Sequence, residues 1–476
     1  MSDAQPPQGK SRGGMSTVIG RHPTAWLITA LALVFVLLGT GAVFLGFSRA
    51  PASSAAVAVP TSTPPAKPAR VRPDSAQPAV RLRTCSVGSA AADPLLGTLA
   101  ASVVDATTGA TLFDRSGASP QSPAGALQLL TAATAVATLG PGATLSTKVV
   151  DGTTPGTIVL VGGGDATLST SEDSVYPGAP LVSDLATEAM EKYTAAHPGV
   201  PITSIILDST LWDPADNWNP SWPISERTDG YQPFITALMV DGDRADPTQL
   251  VSPRSEDPIA RAGQAFAAAA ELTDVTFAGG KATRSTVLAE VTSQPISTLV
   301  SQMLMNSDNA LAEMLARSSS LKQDLGGSSA SLQEVVRSAM DGLGMTGTEV
   351  LVIKDGSGES ANNAVPPVFI AQLMVKIRNG EDGLDVVFDG MPVGGASGDL
   401  AERFTGDNAA AGSATHAKSG WIFHERSLAG LVTTADGTAL TFAFYGLGDA
   451  ITFDTRESLD TLVAAVHSCG NNLSNN

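Results

Sequence analysis

Two tripeptides of this 476-residue chain, Ser307-Asp308-Asn309 and Lys418-Ser419-Gly420, carry residue types suited to acyl transfer. A lysine kept deprotonated by desolvation or a nearby cation can take a hydroxyl's proton. A charged lysine can instead hold a carboxylate, and a neighbouring hydroxyl can add a hydrogen bond. Residues three apart on a helix share a face, so a serine and a lysine at that spacing could act as nucleophile and base. The stretch "SPAGALQLLTAATAVATLG", residues 122–140, offers such a helix with neither group on it. Ser122 precedes a proline and has Gly125 at i+3, and no lysine lies between Ser116 and Thr147.

The elements around these stretches are legible in outline. "LGTLAASVVDATTGATLFDRSG", just after Leu95, reads as a hairpin around a Thr-Thr-Gly turn. "ALQLLTAATAVATLG" has helical spacing and stops at Gly140-Pro141. Ile296, Leu299, Val300, Met303 and Leu304 make one apolar stripe, and Leu311, Met314 and Leu315 resume it after the polar break Asn306-Ser307-Asp308-Asn309, which places that break at a lip. "SLAGLVTTADGTALTFAFYGLG" predicts two strands around Asp436-Gly437, and "ESLDTLVAAVHSC" predicts a closing helix. The expected fold class is α/β (α+β), an antiparallel sheet between helices with a β-rich inserted lobe. No internal repeat is visible.

In chain order, Pro123-Ala124, Ser307-Asp308-Asn309 and Lys418-Ser419-Gly420 resemble the three site motifs of the penicillin-binding-protein and serine β-lactamase superfamily. "GGGDATL" (162–168), "DGSGES" (355–360), "MPVGGASGDLAERF" (391–404) and "KSGWIFHERSLAGLV" (418–432) are similar more closely to the D-alanyl-D-alanine carboxypeptidase/endopeptidase family. The resemblance spans nearly all of residues 95–465. It implies a transpeptidase-like domain from residues 85–144 and 290–470, with 145–289 as the inserted lobe. It also implies a peptidoglycan stem peptide ending in D-Ala-D-Ala as partner, with wall-synthesis proteins as further partners, and no cofactor. By position it gives Ser307 a proton-relay role, Asn309 a hold on a substrate carbonyl, and Lys418, Ser419 and Gly420 the substrate's terminal carboxylate. The first motif departs where it matters. Gly125 stands at the nucleophile position and Gln128 at the position of the lysine base, inside an otherwise matching Pro123–Thr131.

Glycine has no side chain to acylate, and glutamine accepts no proton near neutral pH. The resulting expectation is a catalytically deficient member with a retained peptide-binding cleft. Its rival is an active serine carboxypeptidase with an unrecognised nucleophile at Ser122 or Ser307. Trp421 follows the lysine motif; strand alternation sends it to the face of Ser419, narrowing the cleft, while a local twist would send it to the core. Glu359 and Ala361 also depart from the family's loop. His416, His424, Trp212, Trp218 and Trp222 read as structural residues before catalytic or sugar-stacking ones, and the glycines of "GGGDATL" as a turn.

The net charge of −18 excludes nucleic acid as a natural partner. Residues 1–84 nevertheless hold nine Lys and Arg against Asp3 and Asp74, so the acidity lies in the body. Residues 24–47 are uncharged and long enough to span a bilayer. With Lys10, Arg12 and Arg21 ahead of them, they suggest a cytoplasmic tail (1–23), a single-pass anchor, a Pro/Ala-rich linker (48–84) and an extracytoplasmic body. The alternative is secretion after signal cleavage. Cys85 and Cys469 bracket the body and are expected to pair in a disulfide, with two free thiols as the alternative. No metal site is indicated.

Overall fold

A computed structural model describes residues 82–476. Its first sheet is antiparallel in the order β2-β1-β10-β9-β8, built from β1 (Thr98–Asp105), β2 (Thr111–Arg115), β8 (Thr415–Ile422), β9 (Glu425–Thr433) and β10 (Ala439–Leu447). Between β2 and β8 in sequence come the strands of a second sheet: β3 (Ser146–Asp151), β4 (Thr157–Val161), β5 (Ser204–Asp208), β6 (Thr276–Gly279) and β7 (Val287–Thr292). The main helices are α1 (Gln128–Leu139), α2 (Val182–Ala196), α3 (Pro258–Ala269), α4 (Ile296–Asn306), α5 (Asn309–Lys322), α6 (Leu332–Gly342), α7 (Pro367–Asn379) and α8 (Thr455–Cys469).

The long apolar runs of β9 and β10 follow from burial of both sheet faces. Leu428, Val432, Phe442 and Phe444 pack with Leu459, Leu462, Val463 and Val466 of α8. Their alternates Ala429, Leu431, Ala443 and Tyr445 join the core that contains Phe369, Ile370 and Leu373 of α7. A strand covered on both faces has no polar side to show, so period-two alternation vanishes from its sequence.

The second sheet runs β6-β5-β4-β3-β7 and is mixed, with β4–β5 and β5–β6 parallel. Parallel neighbours need long crossovers, and α2 and α3 supply them. Leu185, Ala186 and Ala189 of α2 and Phe266 of α3 close this lobe's core against Val149, Leu160 and Ile205. The lobe is therefore more helical than its short β-rich runs suggest.

Cys85 and Cys469 form a disulfide across 384 residues. Closing so long a loop contributes about 2–5 kcal/mol. The register beside it is reinforced by Cys85 N donating to Asn472 O and Ser474 N donating to Cys85 O. Arg83 and Thr84, assigned to the linker from sequence, also engage this segment: Arg83 Nε donates to Asn471 O and Thr84 N to Asn472 Oδ1.

The expected single-pass membrane localisation needs correction. Among the described residues no helix is long and apolar enough to cross a membrane. Residues 24–47, on which that expectation rested, lie outside the described residues.

Candidate functional site

Residues 124–127 form a short 3₁₀ turn that leads into α1 and lies against β8. The approach is close because both chains carry glycine at the contact. A Cβ on Gly420 would fall 2.9 Å from Gly125 Cα and closer still to its amide nitrogen. On the other side Gly358, at φ +87°, abuts the Ala124 carbonyl. A Cβ added to Gly125 would meet Ser419 O at 3.0 Å, Gly420 Cα at 3.1 Å and Lys418 Nζ at 3.7 Å. The residue at 125 thus sits in van der Waals reach of the lysine motif, and it has no side chain.

Gln128 is fully buried beneath it. Its Nε2 donates to Asn309 Oδ1 and to Ser357 O, each at 3.3 Å, while its Oε1 is buried without a partner. The positions that the motif comparison assigns to nucleophile and base therefore adjoin Asn309 and Lys418, and neither offers a proton acceptor of useful strength.

Ser307 ends α4 in the left-handed region at φ +54°. That reversal is the polar break expected at the lip, and it turns the hydroxyl toward β8, where Lys418 Nζ donates to Ser307 Oγ at 2.8 Å. The ammonium also donates to Ser419 O at 2.6 Å and Asp399 Oδ2 at 3.2 Å. Lys418 is fully buried, and burial holds its pKa below the usual lysine range, with Asp399 pulling the other way.

Asp308, between the two motif residues, anchors the lip. Its Oδ1 caps α5 by accepting from Leu311 N, and its Oδ2 accepts from Arg244 Nη2 and Tyr176 Oη at 2.8 Å each. Burial pushes the Asp308 carboxyl up, but Arg244, Arg254 and these hydrogen bonds hold it below the ordinary value.

Asn309 Nδ2 donates to Glu359 Oε2 at 3.3 Å, so Gln128, Asn309 and Glu359 form one chain of hydrogen bonds across the cleft. Burial, then the carboxyls of Glu226 and Asp355, push Glu359 up to about 8 against the Asn309 bond. The folded protein therefore keeps this proton after the unfolded chain has lost it, and stability falls as pH rises from the ordinary value to about 8. Glu359→Gln is expected to remove that fall: the midpoint of thermal unfolding, variant minus native, should grow between about pH 5 and about pH 8. A constant difference would contradict the assignment.

Gly125, Ser307, Asn309, Glu359, Asp399, Ser419 and Trp421 line a cleft of about 670 Å³, and Gln128 and Lys418 are fully buried. Trp421 projects at the mouth, 56 % exposed, with the Arg426 guanidinium 4.2 Å from its ring centroid. Strand alternation holds, and the core alternative for this side chain does not. Ser122 is buried and is not among the cleft's lining residues. His416 stacks on Phe388 away from the cleft, while His424 lies at its edge. Trp222 donates to Asp355 Oδ2 and packs edge-on with Trp218, and Trp212 is buried, so all three serve packing. Sequence reading passed over Arg244, Asp308, Tyr176 and Asp399. Asp399 lies within residues 391–404, but nothing in the local pattern ties it to a lysine 19 residues away.

The pattern of the D-Ala-D-Ala carboxypeptidase 3 (S13) family matches residues 84–270 and 245–467. The carboxypeptidase DacB of Mycolicibacterium smegmatis is 32 % identical over 94 % of this chain and 99 % of its own. A D-alanyl-D-alanine carboxypeptidase of Actinomadura is 26 % identical over 70 % of this chain and 75 % of its own. In fold, the crystal structure of penicillin binding protein 4 of Haemophilus influenzae superposes with a TM-score of 0.62 at 17 % identity, covering 77 % of this chain and 94 % of that one.

Proposed function

The chain belongs to the D-Ala-D-Ala carboxypeptidase 3 (S13) family, which acts on peptidoglycan, and on that premise we propose that it is a member that binds a stem peptide without hydrolysing it. One observation carries this reading. The residue lying against Ser419 and Lys418, where an acylated side chain would have to stand, is Gly125. Loss of a serine nucleophile costs such enzymes about 10⁶ in turnover, roughly 8 kcal/mol of barrier, and loss of the base at Gln128 adds little, because the two act as a unit.

What remains supports binding. Asn309 keeps an amide in the cleft, Lys418 keeps its charge beside Ser307, and Gly125 keeps its backbone N–H. Asn309 would hold a peptide carbonyl, and the wall formed by Ser307, Ser419 and Gly420, braced from behind by Lys418, would receive the peptide's end. Trp421 would cover the bound chain from the mouth.

A second reading has one observation in its favour: the 2.8 Å contact between Lys418 Nζ and Ser307 Oγ, with the lysine pKa lowered by burial. Ser307 would then serve as the nucleophile. The experiment is calorimetric titration of the purified body with a stem peptide, beside a turnover assay for released D-alanine and intact mass after penicillin treatment. Expected are saturable binding, weakened at least about tenfold by Lys418→Ala, and neither D-alanine nor an adduct. An adduct mapped to Ser307 would establish the second reading instead.

A further inference from the structure

The end of the cleft that should receive a terminal carboxylate is already filled by one. An ammonium has three donors, and those of Lys418 are all engaged, by Ser307 Oγ, Ser419 O and Asp399 Oδ2. The Ser419 hydroxyl, the other donor of the motif, gives its proton to the same Asp399 Oδ2 at 2.5 Å. Asp399 lines the cleft while Lys418 behind it is fully buried. Asp399 Oδ1 is buried with no hydrogen-bond partner.

We infer that Asp399 is a specificity-determining residue: its carboxylate occupies the carboxylate subsite of Lys418 and Ser419, and turns the cleft from peptides ending in a free acid to peptides whose last carbonyl carries an N–H. This rests on the stem-peptide reading and narrows its ligand. A second carboxylate at this point would share one ammonium with Asp399 and find the donors of Lys418 and Ser419 already engaged, and like charges so placed repel. An amide has no charge to repel and brings an N–H donor to the Asp399 carboxylate, one oxygen of which has no partner. The ligand class is a stem peptide blocked at its end, either as a primary amide or by continuation into a further peptide bond. Both sources present an N–H where the free acid presents an oxygen.

The test compares one stem peptide in three forms, free acid, primary amide and N-methylamide, by calorimetry against the native full-length chain and its Asp399→Asn and Asp399→Ala variants. The Asn variant keeps the side chain's shape and removes its charge; the Ala variant removes the contact. The native protein is expected to bind one or both amides about tenfold or more tighter than the acid, and both variants to reverse that order. The primary amide binding without the N-methylamide would assign the ligand to amidated ends, and the converse to continued chains. Equal or tighter binding of the acid by the native protein, or an unchanged order in the variants, overturns the inference. Acetate, titrated in the same samples while the Lys418 ammonium is followed by nuclear magnetic resonance, needs no peptide contact. It should shift that signal in the variants and leave the native one unmoved. If no peptide binds any form while acetate behaves so, the stem-peptide reading falls and the role of Asp399 stands. If acetate shifts the native signal, or shifts neither variant, the role of Asp399 falls.

Discussion

The double variant Gly125→Ser, Gln128→Lys is expected to gain a covalent penicillin adduct, visible as added intact mass, where the native chain gains none. The scaffold around position 125 favours this outcome. An added Cβ would point at the backbone of Ser419 and Gly420 and lie 3.7 Å from Lys418 Nζ, so a serine there would enter the constellation rather than solvent. Its contacts of 3.0 and 3.1 Å with β8 are tight and require that strand to yield by a few tenths of an ångström. At position 128 a lysine would find two acceptors that now serve Gln128 Nε2, Asn309 Oδ1 and Ser357 O. Full burial of that position would hold the new amine toward its neutral, proton-accepting form. Recovery of even a small part of the ~10⁶ lost with a serine nucleophile is measurable by mass. Penicillin carries a carboxylate, so adding Asp399→Asn to the double variant should speed acylation. Failure of a folded double variant to react, with or without that third change, would mean that the cleft has lost more than its nucleophile and base.

The two-sided sheet and the lip at Asn306–Asn309 are readable in the sequence, because each depends on local pattern. The stripe from Ile296 to Leu304 and its resumption at Leu311 describe helices that pack on one core, and a polar break between them has to be exposed. The helices α2 and α3 were harder to see. Segments such as "PIARAGQAFAAA" lie among short β-rich runs, and their alanines mark neither an apolar nor a polar face plainly, although Ala262, Phe266 and Ala267 are buried. Trp421 could not be placed from alternation alone, since an indole can be turned inward by a local twist. Its exposed position is settled by Arg426, which stacks on it from β9. Long-range polar contacts were out of reach altogether. The pairing of Asp399 with Lys418, or of Arg244 with Asp308, leaves no periodic trace.

That last pair carries the second large effect. Arg244→Met is expected to lower the unfolding free energy by about 3–5 kcal/mol at neutral pH, because it strands a buried carboxylate. Arg244 and Asp308 are both nearly inaccessible, 2.8 Å apart, and Tyr176 closes the triangle by donating to Asp308 while accepting from Arg244. Arg254, held by the Gly230 and Gly242 carbonyls, supplies further positive charge but no direct bond to Asp308. In the native protein the depressed Asp308 pKa contributes stability that is present above the carboxylate's ordinary value and is lost as pH falls through the folded one. In Arg244→Met the carboxyl should instead ionise late, so the stability gap between the two proteins should close in acid. Urea unfolding at neutral and acid pH measures this directly, and a gap independent of pH would show that the charge of Asp308 is not what the arginine supports. The consequence reaches the cleft. Asp308 caps α5 between Ser307 and Asn309, so loosening it frees the left-handed turn that aims Ser307 at Lys418. The same substitution placed in the restored double variant should therefore slow acylation, while Asp308→Asn, which keeps an oxygen for the cap, should slow it less.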